Sequence, residues 1–132
     1  SWETILKKQN DFKIAFSKFD IKKIAKYNEI EINRLLNDRS IIRNKLKIRS
    51  VIFNAKQTIS IQKKFGSFQN WLINNKTKTI DEWISLFKIT FKFTGREITK
   101  EFLLSIGLLK GAHTKNCPIN NKIQKTILTT NI

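Results

Sequence analysis

Methionine is absent from all 132 residues. The chain has no initiator and starts inside a helical pattern, Ser1-Trp2-Glu3-Thr4-Ile5-Leu6, which reads as a fragment lacking its N-terminal part. A single cysteine, Cys117, excludes an internal disulfide and suits a reducing compartment. No apolar run approaches the roughly 20 residues of a membrane-spanning helix, and no signal-peptide pattern is present. A soluble intracellular protein with no membrane partner is expected. Acids are scarce, Asp+Glu 10 against Lys+Arg 26, and none lies beyond Glu101. A hydrolase built on two paired carboxylates therefore finds no support. One histidine, with no strand–turn–helix setting for a serine, leaves a Ser-His-Asp triad equally unsupported. The phosphate-cradling P-loop pattern is missing too.

What is present is an excess of cations. The formal net charge of +16 implies a polyanionic partner, nucleic acid being the commonest. The abundance of Lys, Ile and Asn also fits an AT-rich genome, and both explanations hold together. At 132 residues with 40% hydrophobic content the chain suits one domain with its own core.

Along the chain the apolar spacing is helical throughout, and no period-two pattern or internal repeat persists. Ser1 to about Lys8 forms one helix, and Asn10 caps the next, with Phe12, Ala15, Phe16 and Phe19 as its stripe. Asp20 caps a short helix carrying Ile24, Ala25 and Tyr27. Asn28 opens another that buries Ile32, Leu35 and Leu36. After the polar break 37–40, a long helix runs from about Arg43 to Lys64 with Ile48, Val51, Ile52, Ala55 and Ile59 inward. Its outer Lys45, Lys47, Arg49 and Lys56 read as a solvated face. Gly66 ends it, and Ser67 caps a helix containing Phe68, Trp71 and Leu72. The fold class is all-α, a compact array of short helices. Its domain spans 1–118, followed by a basic, frayed tail over 119–132.

The stretch 79–107, TIDEWISLFKITFKFTGREITKEFLLSIG, organises the rest. Thr79 caps a helix whose first turn holds Asp81 and Glu82, with Trp83, Leu86 and Phe87 as its stripe. Phe91-Lys92-Phe93-Thr94-Gly95 breaks the period, and Gly95 is read as the residue that accepts positive φ in a tight turn. A second helix starts near Arg96, with Ile98, Phe102 and Ile106 on one face. A glycine hairpin opening into a helix leaves backbone N–H groups free at the positive end of the dipole, where a phosphate can sit between Lys92 and Arg96. The same residues serve a plain helical hairpin equally well.

Two further features are ambiguous on spacing alone. His113-x-x-x-Cys117 can bring an imidazole and a thiolate to one Zn²⁺, but a structural zinc site takes four ligands, and such a pair is more often coincidence. Aromatics at helical spacing, Tyr27, Trp71 and Trp83 among them, belong to a core more often than to a base-stacking platform. Trp2, at the start of the chain, is the one kept as a stacking candidate.

Several stretches closely resemble bacterial type I DNA-3-methyladenine glycosylases. They are Ser1-Trp2-Glu3-Thr4-Ile5-Leu6-Lys7-Lys8, Phe16 with Phe19-Asp20, 41–48 (IIRNKLKI) with Asn54-Ala55, Phe91-Lys92-Phe93-Thr94-Gly95, Gly107-Leu108 and 112–118 (AHTKNCP). The match runs in order from Ser1 to about Pro118. It implies a fold similar to the helix-hairpin-helix glycosylases, with the DNA-binding hairpin inside 79–107 and Lys92, Thr94, Gly95 and Arg96 toward phosphate. It further implies a monomeric bacterial cytoplasmic repair enzyme hydrolysing the N-glycosidic bond of 3-methyladenine in alkylated double-stranded DNA. Alkylation makes the base a cationic, good leaving group, so extruding it, holding it and admitting water is most of the task. Trp2 matches the family's base-stacking tryptophan. His113 and Cys117 match the second half of a four-ligand structural zinc site. The base-recognising glutamate and the first two zinc ligands are expected before Ser1. The chain by itself is thus expected to bind DNA weakly and not to excise. The alternatives are a non-enzymatic DNA-binding module decayed from a glycosylase, and a basic RNA- or ribosome-associated protein supported by charge alone.

Overall fold

Among the described residues, Asn44 and Gly66 bound the longest helix, and the other elements pack around it. The computed structural model describes residues 1–107. Here α4, Lys45–Phe65, starts where the Asn44 side chain accepts from the Lys47 N–H, and it ends at Gly66 with φ +87°. That φ lies in the left-handed region glycine tolerates, and a Cβ there would also stand 3.2 Å from Asn70 Nδ2. At 1.5 Å per residue, α4 is about 30 Å long, enough to span two cores.

Before it come α1 (Trp2–Ala15), a 3-10 turn (Ser17–Phe19), α2 (Ile21–Ala25) and α3 (Glu29–Leu36). After it come α5 (Phe68–Asn74), α6 (Ile80–Thr90) and α7 (Arg96–Ser105). Among the described residues every regular element is helical, as the apolar spacing requires. The caps expected at Asp20, Asn28 and Ser67 are formed: Asp20 accepts from the N–H groups of Lys22 and Lys23, and Ser67 from that of Asn70. Asn28 with Glu31 closes a reciprocal capping box.

The first core gathers Phe12, Phe16, Ile24, Ile32 and Leu35 around Ile48, Val51, Ile52 and Ala55 of α4. The second gathers Phe68, Trp71, Leu72, Trp83, Phe87, Phe91, Phe102 and Leu103 around Ile61 near the end of the same helix. Ile21 packs against both. On α4 the inward positions continue through Thr58 and Ile61, and Ile59, expected inside, is only half-buried.

Two local expectations are corrected. Asn10 caps nothing, because α1 runs unbroken through it from Trp2 to Ala15. Ile5, Phe12 and Phe16 share one phase along that helix, and burial of Phe12 and Phe16 outweighs the capping preference of an exposed asparagine. Phe19 belongs not to α1 but to the 3-10 turn, where Ser17, Lys18 and Phe19 take φ of 55°, 55° and 61°. Three successive non-glycine residues in the left-handed region are strained. The turn is held by stacking of Phe12 on Phe16, by a Ser17–Tyr27 hydroxyl pair, and by Arg34 Nη2 donating to the Ala15 carbonyl at 3.0 Å.

Candidate nucleic-acid interface

The connection between α6 and α7 combines two buried residues, Phe91 and Thr94, with exposed ones. α6 begins with a second capping box: the Glu82 N–H donates to Thr79 Oγ1 at 3.2 Å, and the Thr79 N–H donates to Glu82 Oε1 at 2.9 Å. The hydrogen bonds from Thr79 hold the Glu82 carboxyl below its ordinary pKa. The helix closes where the Phe91 N–H donates to the Phe87 carbonyl at 2.8 Å, and the Phe91 ring turns into the second core. Thr94 is also buried, its hydroxyl donating to the same Phe87 carbonyl at 3.1 Å. Lys92, Phe93 and Gly95 are left facing out.

The strained residue of this connection is Phe93, with φ +58°, and not Gly95. Gly95 has φ −75° and ψ −174°, extended backbone open to any residue, and it is the N-cap of α7. The expectation of a positive-φ glycine was therefore misplaced by two positions. With Phe91 and Thr94 both buried, the reversal falls on the two residues between them, and Phe93 takes the positive φ. Gly95 has another property. A Cβ built there would meet nothing within 4 Å, and no side chain caps α7. The first N–H groups of α7 lack helical acceptors at the positive end of the dipole, and among the described residues nothing crowds the Cβ position of Gly95 beside them.

The flanking cations are placed differently from each other. Arg96 Nη1 lies 3.0 Å from Asp81 Oδ1, with both side chains largely exposed, so the pair is weak and exchangeable. Lys92 Nζ stands 4.5 Å from the ring centroid of Phe53 on α4. Thr94, expected among the phosphate-facing groups, supports the connection from inside through its hydroxyl. Two residues that sequence reading missed act from α4. Asn54 Nδ2 donates to the Lys92 carbonyl at 2.9 Å while the Lys92 N–H donates to Asn54 Oδ1 at 2.8 Å, and Gln57 Nε2 donates to the Thr90 carbonyl at 2.8 Å. A signal existed: Asn54 lies between Val51 and Thr58 in phase on the buried face, where a polar side chain needs partners.

Trp2 lies in the first turn of α1, 70% exposed and outside both cores. Farther along α1 an apolar groove of about 220 Å³ lies against α4, lined by Phe12, Phe16, Ile41, Ile48 and Val51, with Lys8 and Lys47 among its cations. Burial there pushes the Lys47 ammonium below its ordinary pKa. Six of the ten carboxylates have other work. Asp20, Glu31 and Glu82 cap helices, Asp38 accepts from Ser40, and Glu29 and Asp81 pair with Arg49 and Arg96. His113 and Cys117, the expected zinc pair, lie outside the described residues, as does the tail 119–132. Among the described residues no group of three or more His, Cys, Asp or Glu could hold a metal ion. No helix there is long and apolar enough to cross a membrane.

An all-helical body carrying net charge +16 and an uncapped helix start beside Lys92 and Arg96 has the makings of a polyanion-binding protein. More narrowly, the chain belongs to the methyladenine glycosylase family, whose model matches residues 1–86. It is 31% identical to the DNA-3-methyladenine glycosylase of Haemophilus influenzae, over 89% of this chain and 74% of that protein. To DNA-3-methyladenine glycosylase 1 of Escherichia coli it is 28% identical, over 89% of this chain and 72% of that one. The 3-methyladenine DNA glycosylase I of Staphylococcus aureus superposes with TM-score 0.68 at 27% identity, covering 90% of this chain and 73% of that chain. A variant of such an enzyme in complex with 3-methyladenine superposes with TM-score 0.70 at 28% identity, covering 90% of this chain and 74% of that chain. The family resemblance read from the sequence is thereby borne out.

Proposed function

We propose that this protein acts in base-excision repair as a DNA-3-methyladenine glycosylase, hydrolysing the N-glycosidic bond of 3-methyladenine in alkylated double-stranded DNA. The observation that carries the reading is the open start of α7. Gly95 leaves room for a phosphate to reach backbone N–H groups, in a chain of this family. The α6–α7 unit then works as a helix-hairpin-helix grip. Lys92 and Arg96 add charge on either side of Gly95, and Arg96 exchanges its exposed contact with Asp81 for the phosphate. Trp2 offers an exposed indole to a base turned out of the duplex, an interaction worth about 1–3 kcal/mol for a stacked base. A net charge of +16 disfavours association with a second copy, so the protein acts as a monomer.

The residues of this chain hold DNA and form one wall for the base, and none of its ten carboxylates is proposed to recognise that base. Glu3 follows Trp2 directly, and consecutive helical residues do not share a face.

Fluorescence anisotropy on duplex DNA treated with a methylating agent, with chromatography of the supernatant for free 3-methyladenine, tests both parts. Binding by the chain is expected; release of free 3-methyladenine would support hydrolysis by it and assign base recognition to one of its own carboxylates, and binding without release would leave it a DNA-holding unit. Salt titration separates a grip from bulk charge. Each phosphate neutralised contributes a slope of about −0.9 in log K against log salt, so Lys92→Ala lowers the slope by roughly one contact's worth. Equal affinity for duplex DNA and double-stranded RNA, with an unchanged slope in Lys92→Ala, would favour the reading from charge alone.

A further inference from the structure

The α6–α7 connection has a strained residue at its tip and little apolar surface of its own to hold that shape. Phe93 sits at φ +58° and is 40% exposed, while Lys92 and Gly95 on either side of 93–94 are exposed too. Besides the buried Phe91 and Thr94, side chains of α4 fix the backbone there. Asn54 is 1% exposed, and its carboxamide meets the peptide groups of Lys92 in both directions, at 2.9 Å and 2.8 Å. Gln57, nearly one turn further along α4, holds the Thr90 carbonyl at 2.8 Å. Phe53, next to Asn54, lies beneath the Lys92 ammonium at 4.5 Å. These contacts bracket the entry to the turn on its backbone and on its charge.

We propose that Asn54, with Gln57 beside it, is a positioning residue for DNA binding: it locks the Lys92 peptide so that Lys92 and the Gly95 end of α7 meet a phosphate together. The assignment rests on the phosphate-binding reading of Gly95 and deepens it. A carboxamide is the group the site requires, because it accepts from one peptide N–H and donates to the carbonyl of the same residue. Loss of either half leaves a buried polar group without its partner and frees Phe93 to leave its strained conformation. The phosphate contacts would then have to order the turn themselves, at the expense of affinity.

The chemistry supplies a test with a built-in reversal. In Asn54→Asp the ionised carboxylate accepts from the Lys92 N–H but cannot donate to its carbonyl, whereas the protonated carboxyl group does both and has the same shape. Burial raises the pKa of such a carboxyl. Duplex affinity relative to the native chain is measured by anisotropy between pH 8 and pH 5.5, with circular dichroism reporting the fold. The expected result is a loss of about tenfold at pH 8 that shrinks as the pH falls. Asn54→Ala should lose affinity at both ends of the range. Combining Asn54→Asp with Gly95→Asp should cost little more than Gly95→Asp alone, since both act on one grip.

A folded Asn54→Asp with native affinity at pH 8 overturns the assignment, as does a loss that is unchanged at pH 5.5. Should the variant fail to fold at pH 8, Gln57→Ala removes one half-buried contact. It is expected to lower affinity by a few fold with the helix content unchanged, and native affinity there would equally overturn the assignment. If Gly95→Asp leaves binding intact, the phosphate-binding reading itself fails, which is a different result from failure at Asn54 alone.

Discussion

Replacing Gly95 with aspartate lowers duplex affinity by about tenfold to a hundredfold while leaving the fold intact. The two halves of this expectation have separate causes. Hydrogen bonds to a charged group are worth about 1.5–3 kcal/mol, and each 1.4 kcal/mol is about a factor of ten. An aspartate at 95 places a negative charge and a side chain where the phosphate approaches, and its carboxylate competes for the N–H groups the phosphate would use. The fold has no reason to object. Gly95 has an ordinary φ of −75°, a Cβ there meets nothing within 4 Å, and the residue is the N-cap of α7 with no side-chain cap of its own. Aspartate is among the best N-cap residues, a few tenths of a kcal/mol better than glycine. Binding should therefore fall while the melting temperature holds or rises. Lys63→Ala, which also changes the net charge by one unit, is the comparator, since Lys63 is an exposed residue on α4. Equal losses in the two variants, measured by anisotropy at one salt concentration, would reduce the hairpin to bulk charge. A melting temperature that drops sharply in Gly95→Asp would mean the open geometry at α7 is misread.

Phe87→Ala is expected to be the most damaging single change to the fold. Phe87 is 0% exposed and its ring lies 5.5 to 6.1 Å from those of Trp71, Trp83, Phe91 and Phe102. Truncating a buried phenylalanine costs about 3–5 kcal/mol, because the neighbours collapse only partly into the space. Against a typical total of about 5–15 kcal/mol that is a large share. The loss reaches the hairpin, because the Phe87 carbonyl accepts from both the Phe91 N–H and the Thr94 hydroxyl. Urea denaturation followed by circular dichroism should show the midpoint falling well below that of the native chain. Ile89→Ala, on the same helix but 82% exposed, should leave the midpoint nearly unchanged. Equal midpoints for the two variants would refute the placement of the second core.

The helical class, the caps at Asp20, Asn28, Ser67 and Thr79, the end of α4 at Gly66 and most of the buried stripes were set by the sequence itself. Each depends on residues within about one turn of one another, where a side chain reaches its own backbone or repeats on one face. The apolar residues at 83, 87 and 102 had to face inward whatever the partners were. Three-dimensional packing decided the rest. α1 runs through Asn10 because Phe12 and Phe16 find a core to bury in, which no local preference reveals. The left-handed residue of the hairpin is Phe93 because Phe91 and Thr94 are both drawn inside. Gly95 is thereby left in ordinary backbone, with its openness as the functional property. The Asn54–Lys92 pair joins residues 38 positions apart, and nothing in the neighbourhood of either residue specifies the other. A sequence states the preferences of a turn of chain. Which residue bears strain, and which side chain answers a distant peptide group, is fixed only when the two cores close on α4.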